Sequence, residues 1–243
     1  MKPILSIVVP TLNEVKTIEK TLRAFTDHLT AYPYEVIVAD DGSTDGTQAI
    51  AEKFARIAQR PEELPRGIAR GKNRGASGAR GEYLVFVDAD VVVPNPDAFF
   101  GVALGRFMGD PTIVALTVKL RVFPEEATLA DRLCFGFVNL THWFNNNVTH
   151  TGSGSGEFQM IRASIFHELG GYREHLAVAE DNEMFVRLAK RGRTFFERLL
   201  TVYHTGRRAH QIGWPRLLLE WFLNAFFVKF FNRSYHKEWS QVR

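Results

Sequence analysis

Tyr83-Leu-Val-Phe-Val-Asp88-Ala-Asp90-Val-Val-Val93 is the stretch on which the reading of this chain turns. An unbroken apolar run such as Tyr83–Val87 reads as a strand buried on both faces, in the middle of a parallel sheet. It ends on two carboxylates one residue apart. If strand geometry continues, residues i and i+2 point to the same side, so Asp88 and Asp90 converge. Adjacent buried anions repel and lose hydration, so a cation or hydrogen-bond donors must satisfy them. A divalent metal bound to diphosphate oxygens would do so. A solvated acidic turn at a strand end is the plainer alternative.

Upstream, Ile4 to Val9 reads as a strand closed by Pro10-Thr11, and Asn13 and Glu14 open a helix carrying Val15, Ile18, Leu22, Phe25 and Leu29 at helical spacing. Tyr34 to Ala39 is the next strand, running into Asp40-Asp-Gly-Ser-Thr-Asp-Gly-Thr47. A helix with Ile50, Phe54 and Ile57 on one face follows, then a loop over 60–71 and a short helix from Lys72 to Ala79. Strand–helix alternation of this kind gives parallel strands with right-handed crossovers. Ligands of such sheets bind beyond the carboxyl ends of the strands, which is where each acidic cluster falls.

Downstream, a helix over Ala98–Met108 precedes a strand over Ile113–Val122. The segment 124–147 carries an apolar stripe of Leu129, Leu133, Phe137, Leu140 and Phe144. Gly152-Ser-Gly-Ser-Gly156 reads as a flexible hinge. Gly170-Gly171-Tyr172 closes a short helix, Glu180-Asp181 opens another with Met184, Phe185 and Leu188 inward, and Thr194–Tyr203 is a strand.

The 243 residues suit one large α/β domain or a domain with a small appendage, and 45% hydrophobic residues suffice for its core. A net charge of +3 is too weak to argue for nucleic acid, so none is expected as a partner. The single cysteine, Cys134, excludes an internal disulfide framework and a cysteine-based zinc site. The apolar run before Pro10 is too short for a signal peptide or membrane span, so cytoplasmic residence is expected.

Several polar residues have two readings. Asp40 and Asp41 form a turn sequence, yet a carboxylate after the second strand can accept a pyrimidine imide N–H or ribose hydroxyls. Lys72 and Arg74 near a helix start, like Arg207-Arg208, are either a solvated basic face or phosphate ligands. Glu180 and Asp181 are either charges favoured by a helix dipole or, for Asp181, a general base. His204 is a satisfied strand-end residue or a third metal ligand.

Taken in order, Ser6-Ile-Val-Val-Pro-Thr-Leu-Asn-Glu14, Asp40 to Thr47, Lys72-Asn-Arg-Gly75 through Ala79-Arg-Gly-Glu82, and Asp88-Ala-Asp90 resemble the family-2 glycosyltransferases, which have the GT-A fold. Gly156-Glu-Phe-Gln-Met-Ile-Arg162, Gly170-Gly171-Tyr172 and Glu180-Asp181 continue the likeness, which spans roughly residues 4 to 208. It implies a Rossmann-like α/β fold with a mainly parallel central sheet flanked by helices. The catalytic domain would cover 1–213, with a nucleotide-binding half over 1–95 and an acceptor half over 96–213. The resemblance places Pro10, Thr11, Glu14 and Asp41 in the nucleoside pocket of a nucleotide-sugar donor, uridine favoured over guanosine. It places Asp88 at the ribose or metal-bound phosphate, Asp90 on Mg²⁺ or Mn²⁺, and Asp181 as the catalytic base of an inverting transfer. Asn13, Asp40, Lys72, Ala89, Arg207 and Arg208 are expected beside the donor as well, Asp88 and His204 beside the metal, and Glu180 beside the base. The processive members' Gln-x-x-Arg-Trp signature is absent. Arg207-Arg208 with Gln211 and Trp214 is a loose echo of it, so transfer of a single sugar is expected. Phe86-Val-Asp-Ala-Asp90 also resembles the Asp-x-Asp of phosphatases with an aspartate nucleophile, but the threonine usual shortly after it is missing. A sugar-nucleotide-binding scaffold is a third reading, against which four retained carboxylates argue.

The tail, 214–243, is read as an appended amphipathic aromatic helix. Between Leu217 and Val228 only Glu220 and Asn224 are strongly polar, and they share one face. The aromatic surface of Trp214, Trp221, Phe222, Phe226, Phe227, Phe230 and Phe231, flanked by Lys229, Arg233 and Lys237, suits a helix lying in a membrane interface. The expectation is a peripheral protein on the cytoplasmic face of a membrane, with a lipid-linked or polyprenyl acceptor. A helix packed on the domain or in a dimer is the alternative.

Overall fold

In chain order the elements of the computed structural model, which describes residues 2–236, are β1 (Leu5–Thr11), α1 (Ile18–Thr26), β2 (Tyr34–Asp40), α2 (Thr47–Ala51), β3 (Arg56–Ile57), α3 (Ile68–Ser77), β4 (Tyr83–Val87), β5 (Val91–Val92) and α4 (Pro96–Gly109). The second half continues with β6 (Ile113–Val122), α5 (Leu129–Asn147), β7 (Phe158–Arg162), α6 (Ala163–Glu168), α7 (Glu180–Leu188), β8 (Arg193–His204), α8 (Arg207–Ile212) and α9 (Trp214–Phe231). Lys237 lies outside the described residues.

The strands form one sheet in the order β3-β2-β1-β4-β7-β6-β8-β5. The first half is parallel throughout, β1 pairing with β2 and β4 and β2 with β3. Beyond β4 the sheet becomes mixed, because β7 runs antiparallel to both β4 and β6, and β5 antiparallel to β8. All five residues of β4 are buried, as its sequence requires. The strand stops at Val87, however. Val91 donates its N–H to the Asp88 carbonyl at 3.1 Å, so Asp88–Asp90 lies in a turn rather than a continued strand.

Some expected elements shift for identifiable reasons. The first helix starts at Ile18 rather than at Asn13, which sits at φ +55°. Asn13 donates its N–H to Ser43 Oγ at 2.9 Å and accepts the Thr44 N–H at 2.9 Å, so it fastens the β1 loop to the turn after β2. Ile57 does not extend the helix of Ile50; it forms β3 beside Val38. The loop over 60–71 ends early, since α3 begins at Ile68.

Gly152–Gly156 is a packed crossing and not a hinge. A Cβ on Gly152, at φ +82°, would stand 2.2 Å from the Phe185 carbonyl oxygen, and one on Gly154 2.6 Å from the Phe185 ring. Only glycine lets this backbone lie against α7.

Both α5 and α9 keep polar residues inside and turn apolar ones outward, so for α9 the aromatic surface read from the sequence does face outward. The buried residues of α5 are Asp131, Phe135, His142 and Asn146, whereas Leu129, Leu133, Phe137, Leu140 and Phe144 are exposed. In α9 the buried positions are Leu217 and Asn224, while Leu219, Phe222, Phe230 and Phe231 face solvent. Polar anchors make this arrangement possible. Asp131 accepts from Thr128 Oγ1 (2.7 Å) and Trp214 Nε1 (2.8 Å) and lies 2.8 Å from His210 Nε2, tying α5, α8 and α9 together. Burial pushes its carboxyl up, but these donors hold it down at about 2. Asn224 accepts the Tyr235 N–H at 3.0 Å and returns a bond to the Glu220 carbonyl at 2.8 Å. Trp214 and Trp221 pack on the core, so α9 is a wall of the domain and not a free appendage.

The packed glycine crossing predicts that Gly152→Ala loses several kcal/mol through clash and left-handed strain. Gly105→Ala, in α4 where an added Cβ meets nothing within 4 Å, should gain up to about 1 kcal/mol. Thermal melts of the pair check this; a neutral Gly152→Ala would restore the hinge.

Candidate active site

The carboxyl end of β4 and the N-terminus of α7 meet at Gly156. A Cβ built there would lie 3.2 Å from Asp88 Oδ2, 3.5 Å from Asp181 Oδ2 and 3.6 Å from Lys72 Nζ. Lys72 is fully buried and donates to Glu180 Oε1 at 2.8 Å. Burial alone would pull the ammonium down, but Glu180, Tyr172, Asp88 and Asp181 hold it charged and raise it. One cation therefore serves three carboxylates. Desolvation pushes Asp88 up to about 8, with Lys72 opposing and Glu157 and Asp90 reinforcing the rise. Desolvation likewise raises Asp181 to about 7, helped by Glu180 and opposed by Lys72. The backbone just before α7 is strained, with Ala179 at φ +64°.

Asp90 is held differently. Thr205 donates its hydroxyl to Asp90 Oδ2, and Arg207 Nε lies 3.4 Å from the same oxygen. The Arg207 guanidinium also forms a bidentate pair with Glu14, both bonds 2.7 Å. Arg207 thus ties the β1 loop to the Asp88–Asp90 turn. Thr21 of α1 fixes that turn through the buried Ala89, donating to its carbonyl at 2.9 Å.

The acidic groups open on a cavity of about 690 Å³. Asp88, Asp90, Glu180, Asp181, His204, Arg207 and Arg208 line it, together with Val138 and Thr141 of α5 and Leu217, Leu218, Trp221 and Phe222 of α9. Its lining is mixed, with carboxylates from the Asp88–Asp90 turn and the start of α7 and apolar side chains from α5 and α9.

Other expected site residues fall elsewhere. Asp40 is a turn former, accepting the N–H groups of Gly42 and Ser43 at 3.1 Å each. Asp41 is buried beside Arg74 (3.5 Å) and Arg60 (3.8 Å), and its Oδ1 has no hydrogen-bond partner. Its other oxygen, Oδ2, accepts the Gly67 N–H at 2.8 Å. Pro10 and Thr11 sit alongside on β1, paired with Ala39 and Asp40. Lys72 is sealed beneath the site as a counter-ion and is not presented to a phosphate. Sequence reasoning missed Thr205, Glu157, Gly156 as a site glycine, and the α9 wall. An Asp-x-Asp needs nearby donors, but nothing local in the sequence marks Thr205 as one.

His204 Nδ1 lies 2.8 Å from the Thr205 carbonyl, which makes it the N–H and leaves Nε2 an acceptor; Nε2 is buried without a partner. Yet no group of three or more His, Cys, Asp or Glu side chains stands close enough to hold a metal among the described residues. His204 is therefore not gathered with Asp88 and Asp90 into a three-ligand site. The two carboxylates, one strongly desolvated, fit a cation that brings further oxygen ligands with it.

Residues 6–170 match the model for glycosyl transferase family 2, and the chain belongs to that family. It is 30% identical over 193 residues to the succinoglycan biosynthesis protein ExoA of Rhizobium meliloti, covering 76% of this chain and 58% of that protein. It is 37% identical over 186 residues to the glycosyltransferase AglE of Haloferax volcanii, covering 74% of this chain and 59% of that protein. The chain thus spans about three fifths of the length of these relatives. Among solved structures, the mannosyltransferase PcManGT of Pyrobaculum calidifontis, in complex with GDP-Man and Mn²⁺, matches with a TM-score of 0.71 at 22% identity, covering 100% of this chain and 66% of that one. Glucosyl-3-phosphoglycerate synthase of Mycobacterium tuberculosis, in complex with Mn²⁺, UDP and glucosyl-3-phosphoglycerate, matches at 0.59 and 22%, covering 91% and 79%. The fold is GT-A.

The raised Asp88 has a measurable consequence. Between about pH 4 and pH 8 the folded chain keeps a proton on Asp88 that the unfolded chain releases, so this group's contribution to stability falls as pH rises through that window. Asp88→Asn should raise the melting temperature of the ligand-free protein at pH 8 by several degrees, on the order of a few kcal/mol. The gain should shrink towards pH 4.5. A variant that melts lower at pH 8 would mean that Lys72 depends on an anionic Asp88.

Proposed function

We propose that this domain is a metal-dependent inverting transferase that moves one sugar from a nucleoside-diphosphate sugar to an acceptor at a membrane surface. The observation that carries the reading is the junction of Asp88, Asp181 and Lys72 at the floor of a cavity with an apolar helical wall. Mn²⁺ or Mg²⁺ held by Asp88 and Asp90 would neutralise charge on the departing diphosphate. Asp41, with Pro10 and Thr11, would receive the nucleoside, uridine being favoured by the family resemblance. Arg207 and Arg208, on the cavity wall, add positive charge where the diphosphate would lie.

Asp181 is the base in this scheme. A carboxylate raised to about 7 is poised to take a proton from an acceptor hydroxyl near neutral pH, and the attack inverts the anomeric carbon. Glu180 is spent on Lys72 and acts by positioning that cation. A phosphatase using Asp88 as nucleophile is poorly supported, since the threonine usual shortly after its Asp-x-Asp is missing.

No helix among the described residues is long and apolar enough to cross a membrane. The acceptor reading rests instead on the outward apolar faces of α5 and α9, which no part of the described chain covers. A lipid-linked acceptor would enter between them, with its sugar or phosphate end towards Asp181. Were the acceptor oxygen a phosphate, already ionised, Asp181 would position it instead of deprotonating it.

Asp181→Asn should lower kcat by roughly 10²–10⁴ and leave donor affinity unchanged; loss of donor binding would place Asp181 in the nucleotide pocket. Truncation before α9 is a poor test of membrane attachment, because Trp214 and Trp221 pack on the core. The triple variant Leu219→Ser, Phe222→Ser, Phe230→Ser alters only exposed positions. It should keep the wild-type melting temperature and donor binding but lose flotation with vesicles. Wild-type protein that ignores vesicles would overturn the membrane reading.

A further inference from the structure

We propose that a second cavity, between α5 and the outer halves of β6 and β8, binds the phosphate headgroup of an anionic phospholipid. This cavity, of about 630 Å³, shares the walls Leu120 and Phe135 with the acid cavity but has the opposite charge. Lys119, Arg121, Arg132 and Arg198 line it, and none of the four makes an ion pair with a carboxylate among the described residues. Its one carboxylate, Asp131, is already engaged by Thr128, His210 and Trp214.

The fold assembles these cations deliberately. Lys119 and Arg121, two apart on β6, project to one side of the strand. The β6–β8 register jumps from Val118↔Glu197 to Lys119↔Thr201, so residues 198–200 bulge from β8. The bulge carries Arg198, whose guanidinium stacks on Trp143 of α5 at 5.6 Å. Arg132 lies on the same face of α5 as Trp143, three turns earlier. Between them is Gly136, where an added Cβ would meet nothing within 4 Å, so the cavity is open at its α5 side. Four like charges drawn together without a counter-ion repel, and a tetrahedral oxyanion accepting from several guanidinium forks relieves that.

Exposed leucines decide between a soluble anion and a lipid. Leu140 lines the cavity and is 56% exposed, and Leu133 and Leu199, next in sequence to Arg132 and Arg198, are 66% and 74% exposed. A free phosphate would leave all three in water. A phospholipid places its phosphate among the cations and its chains, or its neighbours' chains, against the leucines, and so covers both surfaces at once. The site rests on the membrane attachment proposed above and adds to it a preference for anionic lipid, independent of α9.

Flotation of the full chain with phosphatidylcholine vesicles, and with phosphatidylcholine vesicles that also contain phosphatidylglycerol as the anionic lipid, tests the site. Wild type should partition at least roughly tenfold better onto the anionic vesicles. Arg132→Gln/Arg198→Gln should lose most of that preference while keeping its melting temperature and its binding to neutral vesicles. Lys53→Gln/Lys190→Gln, which removes the same charge at exposed positions outside the cavity, should keep it. An equal loss in both double variants would reduce the effect to net charge and overturn the site. Displacement of anionic vesicles by millimolar inorganic phosphate at constant ionic strength would make it a free-anion site and overturn the lipid assignment. Wild type that binds neither vesicle contradicts the membrane reading itself, whereas equal binding to both contradicts this site alone.

Discussion

The buried ammonium of Lys72 is the constraint on which the rest of the site depends. It sits at 0% exposure with Glu180 at 2.8 Å and with Asp88 and Asp181 within reach of the same point in space. A buried charge without partners is prohibitively costly, and a buried cluster of carboxylates without a cation equally so. The chain settles the matter only in part. Glu180 is neutralised by contact, while Asp88 and Asp181 stay desolvated enough to resist ionisation. The ligand-free site is therefore short of positive charge, and whatever completes it gains binding energy from that deficit. Perturbed carboxylates of this kind mark functional sites because structure alone gives no reason to keep them.

The fold builds this deficit from distant parts of the chain. The parallel half of the sheet delivers Asp88 at the end of β4. The antiparallel return of β7 brings the glycine crossing and α7 over it, and with them Asp181. Arg207 then links Glu14 to Asp90 across almost the whole sequence. The cavity is closed by α8 and α9, whose Trp214 is fastened to Asp131 of α5. A helix that looks like a tail in the sequence thus completes the wall of the cavity.

Much of this was legible in the sequence, and the limits are physical. Apolar runs and turn residues located β1, β2, β4, β6 and β8 because burial on both faces leaves little choice of residue. The aromatic run from Trp214 indicated a helix, although the tail read as 214–243 and only Leu217–Val228 carried the helical spacing, and the ordered motifs pointed to the family. Three things were not legible. The outward aromatic face of α9 was legible in the sequence, but the anchoring of the inner sides of α5 and α9 by Asp131 and Asn224 was not. A lysine on a helix reads as solvated, and only the packing of Tyr172 and Glu180 around Lys72 reveals it as a buried counter-ion. A Gly-Ser run reads as flexible, whereas its glycines are required by the close approach of Phe185. For Lys72, for Asp131 and for the glycine crossing the deciding partner lies far away in sequence.

The central claim is that the carboxylates around Lys72 await a nucleoside diphosphate that arrives with a divalent cation. Titration calorimetry of the wild-type chain with UDP and with GDP, in Mn²⁺ and again with a chelator, tests it most directly. The account predicts that one of the two nucleotides binds in the presence of Mn²⁺ and that the chelator abolishes most of its affinity. Binding of equal strength with and without the metal, or no binding of either nucleotide, would contradict it.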